Sequence, residues 1–411
     1  MYFTTILFLL LTAQVGAKTN DNLLFDQVIK NNLAIQSLGK TVESEKVNKG
    51  YLGRSFYPTL SLELGQENFQ TGSYKTRSQP YGMLEARFNL FRGGRDEIES
   101  RIKNIYTQIS EYKRDLSIRE EINKIRKLQY QIMFNMELVS ILKKELAVNK
   151  RINAQALQRA KSGVTTRTDT LEFTINESEL IESIESLEHE NKILKIGLKP
   201  LLGISQDEEI NFSMILEHQH DDELISRGYS FNKHPEVATL HAEFAGLSNQ
   251  QEMKQRWWTP SLDLYGGYYL YTLKDRDYLA MRERDDRVVG IRLTMELFDG
   301  RKGSTESSAA HYQAESKRMM ARHTEKQTEA RFLMLKEDLK HTHEVMHYVL
   351  DRIKKSKDYL DLTLKEYDRG IKNSLDALTA MQRYYRYEKQ YLEKKKEYQV
   401  IKADLLSIIG E

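Results

Sequence analysis

The sequence of 411 residues contains no cysteine. Disulfides, thiol catalysis and thiolate metal sites are therefore excluded, as is a lipid anchor on a cysteine behind an export signal. Proline is almost as scarce. Only Pro58, Pro80, Pro200, Pro235 and Pro260 occur, with none between Pro80 and Pro200 and none after Pro260. Helices can run unbroken through both gaps. No segment carries the roughly 18–20 consecutive apolar residues of a membrane-spanning helix. A place in a membrane would have to be reached with β-strands. Excess charge of one sign is missing as well. The net charge of +2 supplies no whole-chain attraction to nucleic acid or anionic lipid.

Charged residues make up 30% of the chain and hydrophobic ones 40%. Both signs are interspersed, as on solvated helix faces. At the start, Ile6 to Leu11 form an apolar core and Val15-Gly16-Ala17 offer small residues for cleavage before Lys18. Residues 1–17 thus read as a secretory signal, although no Lys or Arg precedes the apolar core.

The two halves, 18–208 and 209–411, carry the same signals in the same order. Pro58-Thr59-Leu60-Ser61-Leu62 parallels Pro260-Ser261-Leu262-Asp263-Leu264, and Asn32 to Ile35 parallels His234 to Val237, both offset by 202. Further on, Phe91 matches Phe298, Gly163 matches Gly370, Asp169 matches Asp376 and Gly203 matches Gly410, all offset by 207. A constant offset over so long a stretch implies helices of fixed length in both halves. The change of offset falls in the hairpins, where loops tolerate insertion.

Each half is expected to hold a helix, a β-hairpin (about 58–91 and 260–298) and a long helical hairpin (about 95–203 and 302–410). Four segments alternate with period two. Leu60, Leu62 and Leu64 oppose Ser61, Glu63 and Gly65. Leu84, Ala86, Phe88 and Leu90 oppose Glu85, Arg87, Asn89 and Phe91. Leu262, Leu264, Gly266, Tyr268 and Leu270 oppose Asp263, Tyr265, Gly267 and Tyr269. Val289, Ile291, Leu293, Met295 and Leu297 oppose Gly290, Arg292, Thr294 and Glu296. Any half-buried sheet alternates. One apolar face and one with full charges is what a barrel with lipid outside and water inside needs. Phe56, Tyr57, Trp257 and Trp258 stand at strand starts as candidate interfacial aromatics. Four strands cannot close a barrel, since about eight are needed, and open edges are not tolerated in lipid. The barrel has to be shared between subunits.

After Phe91-Arg92-Gly93-Gly94 the pattern becomes helical. Ile98, Ile102, Ile105, Ile109, Tyr112 and Leu116 form a heptad seam, and no breaker appears before Gly163. Such a helix spans on the order of 100 Å at about 1.5 Å per residue. The final helix shows two seven-residue rows, Ala377-Tyr384-Tyr391-Tyr398-Leu405 and Ala380-Tyr387-Lys394-Ile401-Ile408, enough to meet two neighbours. Each long helix ends at a glycine followed by polar residues and an aspartate: Gly163 to Asp169 and Gly370 to Asp376. The glycine can close one helix and the polar residues can cap the next.

With these parts in place the chain resembles the TolC-type outer-membrane efflux proteins over nearly all of its mature length. The most specific pieces are Leu90-Phe91-Arg92-Gly93-Gly94-Arg95, its echo Leu297-Phe298-Asp299-Gly300-Arg301, and the tip Tyr367-Asp368-Arg369-Gly370-Ile371-Lys372-Asn373-Ser374-Leu375-Asp376-Ala377-Leu378. The resemblance implies an α+β membrane protein. It would be a homotrimer with a shared β-barrel in outer-membrane lipid, four strands per chain, continued by a periplasmic helical coiled-coil barrel. It implies a passive exit duct for an efflux pump or type I secretion system, meeting a periplasmic adaptor protein and, through it, an inner-membrane transporter. By position, Lys161, Gly163, Val164 and Thr165, with Arg369, Gly370, Ile371 and Lys372, would face the adaptor. Asp169, Lys372 and Asp376 would form the periplasmic gate. Lys372 stands where some members carry arginine, and a lysine makes no bidentate fork.

Two competing readings remain. One is a periplasmic coiled-coil structural protein without a pore. The other is a zinc protease, because His343-Glu344-Val345-Met346-His347 matches the HExxH pattern. That pattern lies in a long charged helix, has no convincing third ligand, and is missing from the matching stretch Met136 to Ser140. No enzyme activity and no cofactor are expected.

Overall fold

A computed structural model describes residues 28–69, 77–163, 167–210, 216, 222–271 and 285–410. The expected export signal at residues 1–17 lies outside the described residues, as do Val164 and Thr165. The elements in chain order are α1 (Leu33–Asn48), α2 (Tyr51–Ser55), β1 (Thr59–Phe69), β2 (Arg77–Phe91), α3 (Arg95–Lys161), α4 (Arg167–Leu202), α5 (Asp222–Ser226), a short 3-10 turn (Phe231–Lys233), α6 (Pro235–Gln255), β3 (Ser261–Tyr271), β4 (Asp285–Thr294), α7 (Lys302–Asp368) and α8 (Ser374–Ile409). Both α3 and α7 have 67 residues, and both α4 and α8 have 36. The chain divides into two compact units. One takes its residues from Leu38–Arg114 and Pro235–Glu325, the other from Met1–Ser37, Asp115–His234 and Lys326–Glu411. Each unit draws on both sequence halves.

The first unit holds a four-stranded antiparallel sheet in the order β1-β2-β3-β4. Its register places Leu62 opposite Leu84, Phe88 opposite Leu264 and Leu264 opposite Ile291. The apolar residues of all four strands therefore share one side. Two details differ from the alternation pattern. The register shifts between Asn89 and Phe91, so that Phe91 pairs with Leu262 in the apolar row. A bulge of this kind inserts one residue and re-aims the strand end. The fourth strand stops at Thr294, leaving Met295 to Leu297 outside the sheet.

Beyond β2 the chain turns sharply into α3. Gly93 and Gly94 have φ of 64° and 72°, and a Cβ on Gly93 would lie 2.0 Å from Thr259 Oγ1. At the corresponding turn before α7, Gly300 and Arg301 both have φ of 67°. Arg301 thus holds a left-handed conformation that a side chain disfavours. Helix α3 begins with Asp96 and Glu97 and ends with Arg159 and Lys161, charges that complement its dipole.

In the second unit the heptad rows become packing lines. Val139 and Leu142 of α3 meet Leu180 and Ile184 of α4. Phe332, Leu339 and Met346 of α7 meet Tyr398, Leu405 and Ile408 of α8. A further core joins Phe134, Ile141 and Ile152 of α3 to Ala377, Met381, Tyr385 and Leu392 of α8. Helix α8 does meet two neighbours. Its line toward α3 runs through Tyr385, Leu392 and Lys395, whereas Tyr387 lies under Arg352 of α7, 5.6 Å from the guanidinium.

Candidate functional site

The sheet is inside out for a water-soluble protein. Leu60, Leu62 and Leu64 are 71%, 68% and 75% exposed, and Val289, Ile291 and Leu293 are 82%, 68% and 68% exposed. Burying side chains of this size is worth about 1.5–3 kcal/mol each, so a wide exposed apolar face signals a surface that water does not cover. The opposite side is polar and internally bonded. Arg87 donates to Glu85 Oε1 at 3.1 and 2.6 Å, and Glu85 is buried. Asn89 donates to Asp96 Oδ2 at 2.8 Å and to the Ser55 carbonyl at 3.1 Å. Tyr81 donates to Glu63 at 2.8 Å, and the Arg292 guanidinium lies 4.3 Å over the Tyr265 ring. The strands have 11, 15, 11 and 10 residues, against the roughly 9–11 that cross a bilayer at a tilt. Among the described residues, the outer edges of β1 and β4 have no strand partner. Phe56, Tyr57 and Trp258 are exposed beside the strand starts, and Trp257 is half-buried. Among the described residues, no helix is long and apolar enough to cross a membrane.

In the second unit, α3 and α7 each end at a left-handed glycine, Gly163 with φ 77° and Gly370 with φ 78°. After α7 the backbone closes through Gly370 N–H on the Tyr367 carbonyl and Ile371 N–H on the Glu366 carbonyl, both 2.9 Å. Asn373 caps α8 and accepts from Asp376 N–H at 2.8 Å, while Asp376 Oδ2 accepts from Asn373 N–H at 3.3 Å. This reciprocal box satisfies two donors at the helix start. It occupies one carboxylate oxygen of Asp376. Lys372 is half-buried, and among the described residues it forms no ion pair with Asp376. Lys161, Gly163, Arg369, Gly370 and Ile371 are exposed. The Asp169 side chain lies outside the described residues.

Residues that the sequence reading did not single out hold these helix ends. Arg159 of α3 donates to the Tyr367 carbonyl and, at 3.0 Å, to the Asp368 carbonyl, with its guanidinium 4.2 Å over the Tyr367 ring. Tyr367 is fully buried. A polar chain crosses the helices below: Gln382 of α8 donates to Asn176 of α4, and Asn176 donates to Asn149 of α3, each at 3.1 Å. Asn149 also donates to the Phe173 carbonyl at 2.9 Å. The available signal was asparagine inside a heptad row, Leu128-Asn135-Leu142-Asn149-Ala156, because a polar residue in an apolar row fixes register. Among the described residues three ion pairs also join α3 to α8: Lys127 with Asp404 at 2.7 Å, Glu145 with Lys389 at 2.7 Å and Glu137 with Lys395 at 2.9 Å. Burial pushes the Tyr385 hydroxyl up to about 12, with the Glu145 charge adding to the effect.

His343 and His347 stand one turn apart on α7 with Nε2 atoms 3.2 Å apart. Among the described residues, no three His, Asp or Glu side chains are grouped to hold a metal. Among the described residues the HExxH pattern therefore has no third ligand grouped with it.

A four-stranded antiparallel sheet combined with paired long helices is a fold shared with solved outer-membrane channels. The chain superposes on VceC, an outer membrane protein from Vibrio cholerae, with TM-score 0.80 at 12% identity, covering 95% of this chain and 96% of that one. The Campylobacter jejuni CmeC outer membrane channel gives 0.77 at 14% identity, covering 95% and 85%. The outer-membrane channel OprN gives 0.78 at 14% identity, covering 95% and 90%. No curated protein matches by sequence alone. Residues 230–411 match the family described as Outer membrane efflux protein. The fold of these channels thus extends over nearly the whole chain, and the family match covers residues 230–411.

Proposed function

We propose that the chain is one subunit of a homotrimeric exit duct that passively conducts substrates across the periplasm and outer membrane. Three copies contribute four strands each to one closed barrel in outer-membrane lipid, and the helical tips meet a periplasmic adaptor linked to an inner-membrane transporter. The duct serves a tripartite efflux pump or a type I secretion system. The paired helix lengths support a duplicated architecture in which both hairpins perform the same structural task.

The observation that carries this reading is the apolar sheet face with both edges open. In lipid an unpaired edge leaves backbone groups that cost several kcal/mol each, so the sheet has to continue into another copy. In water the exposed leucine rows would aggregate. A soluble coiled-coil protein has no use for either feature. Lys161, Gly163, Val164, Thr165, Arg369, Gly370, Ile371 and Lys372 are the adaptor-facing residues in this proposal, and Asp169, Lys372 and Asp376 belong to the gate.

Fractionation of cells tests it. The protein should be recovered from the outer membrane as a heat-modifiable oligomer of three. Leu62→Arg should abolish that recovery, since a charge on the lipid face costs about 2–4 kcal/mol near the midplane, while Ser61→Arg on the polar side should leave it intact. A water-soluble periplasmic monomer would overturn the proposal.

A further inference from the structure

The geometry points to a divalent transition-metal site on α7 made by His343 and His347, unrelated to proteolysis. Residues four apart on a helix lie one above the other. Here the two rings meet edge to face with centroids 4.8 Å apart and an interplanar angle of 88°. Their Nε2 atoms lie 3.2 Å apart. Metal–imidazole bonds of about 2.0–2.1 Å place two nitrogens about 2.9 Å apart at a right angle and about 3.4 Å apart at a tetrahedral angle. The observed separation falls between these values, so the two nitrogens stand at the spacing that one shared cation requires.

The surroundings suit such a site. His343 is half-buried, with its ring centroid 6.3 Å from that of fully buried Tyr398 on α8. Packing on that side limits the rotamers open to the inner imidazole. His347 is exposed, which leaves an entry path and room for water on the remaining coordination positions. One turn further, Asp351 is bonded to Lys355 at 2.6 Å, so that carboxylate is already engaged. Imidazole nitrogen favours Cu²⁺, Ni²⁺ and Zn²⁺ over Mg²⁺ and Ca²⁺, with Cu²⁺ bound most tightly by the usual order of affinities. Two protein ligands and open water positions make an exchangeable site. Glu344 is offset around the helix and takes no part in coordination. The bound cation would clip one helical turn and stiffen α7 at that level.

The test uses the full-length protein purified without a histidine tag, titrated with CuCl₂ or NiCl₂ by calorimetry, with the thermal unfolding midpoint followed in parallel. One equivalent of Cu²⁺ or Ni²⁺ per chain should bind and raise the midpoint, because a ligand that binds only the folded state stabilises it. His347→Ala, a change at an exposed position that does not threaten folding, should weaken binding by at least about tenfold, since loss of even an outer partner of a metal ligand costs that much. Glu344→Ala should leave the binding unchanged, and excess CaCl₂ should not displace the bound Cu²⁺ or Ni²⁺. Equal binding by His347→Ala and the parent protein would overturn the assignment. So would an absence of saturable binding by the parent protein.

Discussion

Lys389 of α8 brings its ammonium within 2.7 Å of Glu145 Oε2 on α3, where the glutamate side chain is only 4% exposed. Burial pushes the Glu145 carboxyl above its ordinary value, and Lys389 draws it part of the way back. A raised acid binds its proton more tightly in the folded state. Its contribution to stability is fully present below the unfolded value and is lost as pH rises through the folded one. Lys389→Met removes the opposing cation and should destabilise the protein by about 3 kcal/mol at neutral pH, the low end for a buried pair because Lys389 is partly exposed. The deficit should shrink in acid as Glu145 takes up a proton. Adding Glu145→Leu should recover most of the loss. Unfolding midpoints in detergent at neutral and mildly acidic pH measure this, and a deficit independent of pH would contradict it.

His234 gives a dependence of the opposite sign. Burial, with the Arg119 cation second, lowers its value from 6.5 to about 4. The folded state keeps this imidazole neutral. Stability from it is present above about 6.5 and is lost as pH falls toward about 4, up to roughly 3 kcal/mol over that window. His234→Gln should flatten this part of the stability curve. A curve of unchanged slope would show that His234 does not carry it.

Arg301 holds φ of 67° where its counterpart in the other half is Gly94. A left-handed backbone costs a side chain about 1–2 kcal/mol, partly offset by the greater freedom of glycine in the unfolded chain. Arg301→Gly should therefore stabilise the protein by about 0.5–1 kcal/mol. A lowered unfolding midpoint would mean that the arginine side chain makes a compensating contact.

Asp376 can be a cap, a gate residue or both. Asn373→Ala should cost about 1 kcal/mol through loss of the cap and leave conductance unchanged. Asp376→Ala should also alter block by multivalent cations if the aspartates ring the mouth. Equal block in the two variants would assign Asp376 to the cap alone.

How far the sequence reached follows from the range of the forces involved. Period-two alternation and helix-ending glycines are local, so Leu60-Leu62-Leu64 and Gly370 were legible. The bulge at Asn89 was not, because a register shift depends on the facing strand. Arg159 on Tyr367 and the Gln382–Asn176–Asn149 chain depend on contacts more than two hundred residues apart in sequence for two of their links, which no local pattern encodes. The asparagines in the heptad row hinted that a polar contact existed without naming its partner. The pairing of β2 with β3, which joins the two hairpins into one sheet, was equally hidden.

Copies of this chain are proposed to close a water-filled pore. Purified oligomer reconstituted into planar bilayers measures it directly. Discrete, reproducible conductance steps are expected, and they should disappear when the sample is dissociated to monomers by heat. Stable insertion without conductance, or no insertion at all, would contradict it.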